Sequence, residues 1–254
     1  MTDNQPGRDA GPLEAAIVDL DGTMVDTLGD FAVALNLMLA DLSLPLVDRA
    51  VVAPMVGKGS EHLIQSVLLH VLKVAPAHVG RAQAAIDSGS HAARLFPDAW
   101  ASYQRHYLAI NGQHAQVYPG VPEGLQQLRQ HGLKLACLTN KPTAFALPLL
   151  KAKGLDGFFS QVFGGDAFER KKPDPLPLLK TCEALGSLPG HTLMIGDSIN
   201  DTRAARAAGC PVLLVTYGYN HGEPVRGVDA DGFVDTLAAI RLDRIKTKTG
   251  LAPR

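Results

Sequence analysis

The chain has 254 residues, more than one average domain and fewer than two, which fits a full domain carrying a smaller insert. Apolar residues make up 46% and charged residues 19%, a balance that excludes disorder over most of its length. With 24 Lys+Arg against 25 Asp+Glu the formal charge is -1, so no global field draws nucleic acid or an anionic membrane surface, and any anion selectivity must come from local groups.

Residues 1–13 are polar, contain Pro and Gly, and lack the apolar stretch of a signal peptide; they are expected to form a flexible tail. No run is long enough to span a bilayer. Cys137, Cys182 and Cys210 are few, odd in number and without metal spacing, as expected of buried thiols in a reducing cytoplasm.

The run LEAAIVDL predicts a strand, and Leu28, Phe31, Leu35, Met38 or Leu39, and Leu42 then recur at helical spacing. A second amphipathic helix is predicted from Ser60, its expected N-cap, with Leu63, Ile64, Val67, Leu68, Val71 and Leu72 on one stripe. No strand is predicted from about 30 to 114. After Tyr118-Pro119-Gly120 the rhythm changes. Helix VPEGLQQLRQHG, strand LKLACLTN, helix PTAFALPLLKAKG, strand FFSQVFGG, helix PLPLLKTCEALG, strand TLMIGD, helix NDTRAARAAG and strand PVLLVTYG follow in turn. Such alternation specifies a parallel α/β sheet. The first strand must join that sheet to pair its backbone and bury its faces. The expected organisation is therefore an α/β core of residues 14–29 and 115–240, a helical insert at 30–114, and a basic, weakly periodic tail at 241–254.

In a parallel sheet, ligands collect beyond the carboxyl ends of the strands, and four predicted strand ends here are polar. The first, Asp19-Leu20-Asp21-Gly22-Thr23, sets two carboxylates on the same side of extended backbone before a turn at Gly22; an ordinary Asp-Gly turn would read the same way. In the second, Thr139-Asn140-Lys141-Pro142, Pro142 in a first helical turn aims free N–H groups at the site, although Thr139 alone reads as a cap. The third is Lys172, held extended by Pro173, with Asp174-Pro175 as N-cap and first residue of the next helix. The fourth, Gly196-Asp197-Ser198-Ile199-Asn200-Asp201, spaces two carboxylates four apart across a strand-to-helix junction, where Asp201 could also serve as a first-turn dipole partner.

Four aspartates in one crevice need a hard cation or protonation to offset their repulsion, and oxygen ligands of this kind select Mg²⁺. Carboxylate nucleophile, proton-exchanging carboxyl group, divalent cation, hydroxyl and ammonium are together the parts of phosphoryl transfer. The nine histidines include no pair with zinc spacing; His62 and His70, or His106 and His114, are not four apart.

DLDGT at 19–23, Thr139, Lys172 before Pro173, and GDSIND at 196–201 match in order the four motifs of the haloacid dehalogenase superfamily, which the sequence resembles from about residue 14 to 240. The helical insert is similar to that superfamily's C1-type cap, and the resemblance implies a Rossmann-like core. VYPGV, LTNKP, KKPDPLPLL and especially YGYNHG at 217–222 resemble bacterial phosphoglycolate phosphatases.

The resemblance implies that Asp19 forms an aspartyl-phosphate and that Asp21 protonates the leaving alcohol and then activates water. It implies Mg²⁺ on the Asp19 carboxylate, the Asp21 backbone carbonyl and Asp197, with Asp201 as ligand or outer partner. Thr139, with Asn140 beside it, and Lys172 would grip the phosphoryl oxygens. The implied substrate is a small phosphorylated metabolite, 2-phosphoglycolate first, met by a cytoplasmic monomer or homodimer without nucleic-acid or membrane partners. Lys58, in the Gly57-Lys58-Gly59 turn, is the candidate for contacting a substrate carboxylate, or is simply solvated.

Alternatives are another small-metabolite phosphatase, a mutase of the β-phosphoglucomutase type, or a non-enzymatic phospho-acceptor domain. The mutases typically carry an extra acidic residue where Gly196 stands, and an acceptor domain needs neither Asp21 nor the helical insert.

Overall fold

The computed structural model describes residues 12–74 and 88–245. Most of the tail expected at 1–13, the tail beyond residue 245, and part of the helical insert lie outside the described residues. Within 241–245, where a solvated tail is expected, Leu242 and Ile245 instead pack against the core. Two apolar side chains in an otherwise basic stretch account for the difference.

Six parallel strands form one sheet in the order β5-β4-β1-β6-β7-β8, with β1 Ala15–Val18, β4 Lys134–Leu138, β5 Gln161–Phe163, β6 Thr192–Gly196, β7 Val212–Val215 and β8 Gly232–Val234. β1 lies between β4 and β6, with Ile17 opposite Ala136 on one side and Met194 on the other. Such a strand is covered on both faces, which is why AAIV carries no polar residue.

Alternation along the strands divides the core. Ala16, Val18, Leu135, Cys137, Leu193 and Ile195 face helices α5 (Val121–Gln130) and α6 (Thr143–Ala152), which contribute Leu125, Leu128, Ala146 and Leu149. Ala15, Ile17, Ala136, Leu138 and Met194 face α7 (Leu176–Leu185) and α8 (Ile199–Ala208) through Leu178, Cys182, Ala204 and Ala205. A period of two in the strands and near 3.6 in the helices supplies both faces.

A third cluster unites α1 (Leu28–Asp41), the short α2 (Arg49–Val52), α3 (Ser60–Val74) and α4 (Ser88–Ile110) through Phe31, Leu35, Val52, Leu63, Ile64, Tyr103 and Tyr107. Phe145 of α6 belongs to it too, its ring 4.8 Å from that of Tyr107. Where the chain crosses between this helical layer and the sheet, β2 (Val25–Asp26) pairs antiparallel with β3 (Gln116–Val117). The buried Asp30 carboxylate accepts N–H bonds from Gly112 and His114, both at 2.7 Å.

Three expected helix starts shift by a residue. Ser60 is the first residue of α3 rather than its cap, Pro142 precedes α6 rather than entering its first turn, and α7 begins at Leu176 with Pro175 as its cap. Asp174 still accepts the Leu176 N–H at 2.9 Å, because a carboxylate two residues upstream reaches the same donor.

Candidate active site

β1, β4 and β6 all end at one crevice. Past the last paired residue of β1, Asp19 is buried and its Oδ1 accepts the Leu20 N–H at 2.8 Å. Past β6, Asp197 is buried and its Oδ2 accepts the Tyr219 N–H at 2.7 Å. Asp201, on the first turn of α8, is fully buried in a capping box with Ser198. Carboxylate oxygens of Asp19, Asp197 and Asp201 lie within 4.8 Å of one another.

Three glycines make that approach possible. A Cβ on Gly196 would stand 2.2 Å from Asp201 Cγ, and one on Gly218 would stand 2.2 Å from Asp197 Cβ. Gly22 (φ +82) does the same service on the β1 side, where a Cβ would meet Asp197 Oδ2.

Lys172 crosses the cluster from the loop before α7. Its buried ammonium lies 3.0 Å from Asp19 Oδ1 and donates to Asp201 Oδ1 at 2.7 Å and to the Leu138 carbonyl at 2.9 Å. Burial disfavours that charge, but Asp19 and Asp201 more than restore it and hold the Lys172 pKa above its ordinary value. Three carboxylates against one ammonium leave the pocket short of positive charge. Asp19 is accordingly pushed up to about 7, first by burial and then by Asp201, with Lys172 opposing. Asp197 is pushed well above the carboxylate range by burial, Asp201 and Asp19.

Asp21 faces elsewhere. Its Oδ1 accepts from Thr27 Oγ1 at 2.7 Å and from Lys141 Nζ at 2.9 Å, and its side chain is not part of the three-carboxylate group. The Lys141 ammonium is itself buried over the rings of Phe31, at 4.3 Å, and Tyr107, at 4.7 Å. Asp19, Asp21, Thr139, Asn140 and Lys141 line one small pocket with Gly57, Gly59 and Ser60 of the helical layer.

Asn140 lines this pocket, and its side-chain amide is turned toward Lys172. Its Oδ1 accepts the Lys172 N–H at 3.0 Å, and its Nδ2 donates to the Lys172 carbonyl at 2.8 Å and to the Gly57 carbonyl at 3.1 Å. Every donor and one acceptor of the amide are thereby engaged in holding Lys172 and the loop above it. Lys58 is exposed and lines the outer groove with His62, Arg170 and Arg203, not the inner pocket.

Two residues that sequence reasoning did not single out complete the site. Lys141 gave no signal beyond a lysine beside a proline, since its role depends on aromatic faces contributed by α1 and α4. Tyr219 accepts the N–H groups of Thr27 and Leu28 at 2.8 and 3.0 Å through its hydroxyl, which donates to Asp26 Oδ1 at 2.8 Å. The YGYNHG segment thus fixes Asp197 and the start of α1 at once.

Residues 13–209 match the family described as haloacid dehalogenase-like hydrolase. The chain belongs to that family. It is 43% identical over 231 residues to the phosphoglycolate phosphatase of Thiobacillus denitrificans, covering 91% of this chain and 95% of that protein. It is 40% identical over 242 residues to a plasmid-borne phosphoglycolate phosphatase of Cupriavidus necator, covering 95% and 96%. The crystal structure of a predicted phosphoglycolate phosphatase from Haemophilus somnus superposes with a TM-score of 0.80 at 32% identity, covering 91% of this chain and 97% of that one. As its motifs imply, this haloacid dehalogenase-like chain is a phosphomonoester hydrolase. Among the described residues, no helix is long and apolar enough to cross a membrane.

Proposed function

We propose that this hydrolase cleaves 2-phosphoglycolate to glycolate and phosphate through an aspartyl-phosphate on Asp19, in a Mg²⁺-dependent reaction in the cytoplasm. The observation that carries the chemistry is the buried Asp19, Asp197 and Asp201 group crossed by Lys172 at the ends of β1 and β6. The substrate rests on the YGYNHG and LTNKP segments and on the phosphoglycolate phosphatases that align with nearly the whole chain.

The donor set fits a hard cation: oxygen ligands only, with a single ammonium against three buried carboxylates. Asp19, Asp197 and the Asp21 backbone carbonyl would hold Mg²⁺, with Asp201 as an outer partner because its oxygens already serve Lys172, Ser198 and the Asp197 N–H. When bound, the ion offsets the shared negative charge of nucleophile and phosphoryl group.

Asp19 Oδ1 is occupied by the Leu20 N–H and Lys172, leaving Oδ2 to form the bond to phosphorus while the bond to the leaving oxygen breaks. Asp21 Oδ1 is occupied by Thr27 and Lys141, leaving Oδ2 to carry the proton to the departing alkoxide. Water then attacks the aspartyl-phosphate, Asp21 takes its proton, and phosphate leaves with Asp19 regenerated. Thr139, which lines the pocket, and Lys172, held against Asp19, would meet the phosphoryl oxygens, and the helices within 30–114 would act as a cap that excludes bulk water. A mutase's acidic residue has no room at position 196, where even a Cβ would strike Asp201.

Phosphate release is to be measured for 2-phosphoglycolate, hexose phosphates, phosphonoacetaldehyde and nucleotides, with Mg²⁺ and with chelator. Phosphoglycolate should have the highest kcat/KM, chelation should remove turnover, and Asp19→Asn should abolish it. Equal turnover of all the esters defeats the substrate assignment, and an active Asp19→Asn enzyme defeats the mechanism.

A further inference from the structure

The pocket at Asp19 has a cavity volume of about 20 Å³, the scale of a single ordered water. Val56, Gly57, Gly59 and Ser60, from the loop that leads into α3, line it on the side of the helical layer. A phosphate ester reaches Asp19 only if that loop withdraws, so whatever holds the loop governs access.

The Gly57 carbonyl is held by two asparagine amides, Asn140 Nδ2 at 3.1 Å and Asn200 Nδ2 at 3.2 Å. Asn200 Nδ2 also lies 3.1 Å from His221 Nε2, so the two N–H bonds of one amide serve the loop carbonyl and the imidazole, with Nε2 as acceptor. The imidazole is in turn hydrogen-bonded to the Val56 backbone, and a Cβ on Gly57 (φ +113) would stand 3.0 Å from His221 Cε1. His221 and Asn220 both have positive φ, 54° and 35°, a region that residues with a Cβ avoid and that recurs at functional sites. Neither Asn200 nor His221 lines the pocket.

We propose that Asn200 and His221 are positioning residues that latch the Gly57 loop over the Asp19 pocket and so set the access and release of substrate; this rests on the reading of that pocket as the active site. Asn200 sits in the GDSIND segment and His221 in YGYNHG, so the segments that build the cation-binding end of the site also hold its cover. The latch acts on loop position and not on the reacting atoms. Its loss should change binding and release far more than the chemical step.

The test uses the full chain with Asn200→Ala and His221→Ala, read by amide hydrogen exchange of residues 56–60 and by steady-state kinetics with 2-phosphoglycolate and p-nitrophenyl phosphate. Exchange at 56–60 should quicken roughly tenfold or more and KM rise about five- to tenfold, with kcat within about threefold of the parent and Tm within about 2 °C. His221→Gln, whose amide oxygen can accept from Asn200, should recover part of the KM. Unchanged exchange in both variants overturns the proposal. So does faster exchange with an unchanged KM, or a KM change that tracks a general loss of Tm. Should His221→Ala fail to fold, Asn200→Ala alone decides. Exchange reads the latch whatever ester is cleaved, so a parent enzyme that spares phosphoglycolate refutes the substrate assignment and leaves this test standing.

Discussion

Asp19 and Asp197 sit where a carboxylate is least comfortable, buried and beside another acid, with one lysine shared among three acids. Such a group has a folded-state pKa above its unfolded one, about 7 against 3.8 for Asp19, raised chiefly by burial. Below about pH 4 the group is protonated in both states and contributes nothing. As pH rises toward 7 the unfolded state sheds the proton first, and the metal-free protein loses stability across that window. A bound cation removes the penalty. The gain in Tm from Mg²⁺ should therefore be larger at pH 8 than at pH 5, by roughly 5–10 °C for a chain of this size. Scanning calorimetry at both pH values, with metal and with chelator, tests it; equal gains would mean that the cation does not bind at these carboxylates.

Lys141 makes a different kind of residue-scale claim. Its ammonium is fixed between the Phe31 and Tyr107 rings and holds one oxygen of Asp21. Lys141→Met keeps the volume and the apolar contacts but frees Asp21 to turn. A fall in kcat of about 10²-fold is expected, the usual worth of a positioned proton donor. It should appear alike for phosphoglycolate and p-nitrophenyl phosphate, because the leaving oxygen and not the rest of the substrate is affected. A loss confined to phosphoglycolate would instead make Lys141 a carboxylate contact.

At the scale of elements, α8 shows how a capping motif and a site share one carboxylate. Asp201 Oδ2 accepts from Ser198 Oγ at 3.0 Å while its Oδ1 takes Lys172 at 2.7 Å. Ser198→Ala should cost about 1 kcal/mol of stability as a lost cap, read from urea denaturation, and should weaken Mg²⁺ because Asp201 loses its anchor. An unchanged metal affinity would separate the cap from the site. The sequence already displays this element, since GDSIND combines a strand end, a cap and a first-turn acid. Long periodic stretches such as α1, α3 and α5, and apolar runs such as β4, β6 and β7, were legible for the same reason: period and burial agree. β2 and β3 have two residues each and β8 has three, too short for any period, and they exist only because a partner strand is already in place. Three of the four motif positions were legible because each follows an apolar run, and Lys172 because Pro173 follows it. The partners of Asp21, the turning of Asn140 toward Lys172 and the seating of Tyr219 on α1 were not, because each joins residues more than thirty positions apart or depends on a side-chain direction that the sequence does not record.

On the scale of the whole molecule, a helical layer with its own apolar cluster meets a two-faced sheet core, and the pocket lies at their junction. Two of the attachments at the junction ought to fail differently. At the chain crossings, the fully buried Asp30 carboxylate accepts two N–H bonds and Lys153 Nζ donates to the carbonyls of Gly112 and Ala115 at 2.7 and 2.6 Å. At the pocket, the loop is tied by side-chain contacts to Gly57 and the Val56 backbone and by Lys171 with Glu61 at 2.8 Å, a partly exposed pair of small worth. Asp30→Ala takes the acceptor from two part-buried N–H groups and should cost about 2–3 kcal/mol, lowering Tm by roughly 5–10 °C. The crossings bear on the folding of both layers, so the variant should unfold earlier while its folded fraction keeps a near-parental KM at low temperature. The Asn200 and His221 variants should do the reverse, raising KM at constant Tm. Thermal melts and KM values measured side by side on the three variants therefore separate a hinge that holds the layers together from a cover that moves over the site. If Asp30→Ala raises KM as much as Asn200→Ala does, the two attachments are one mechanical unit and the division fails.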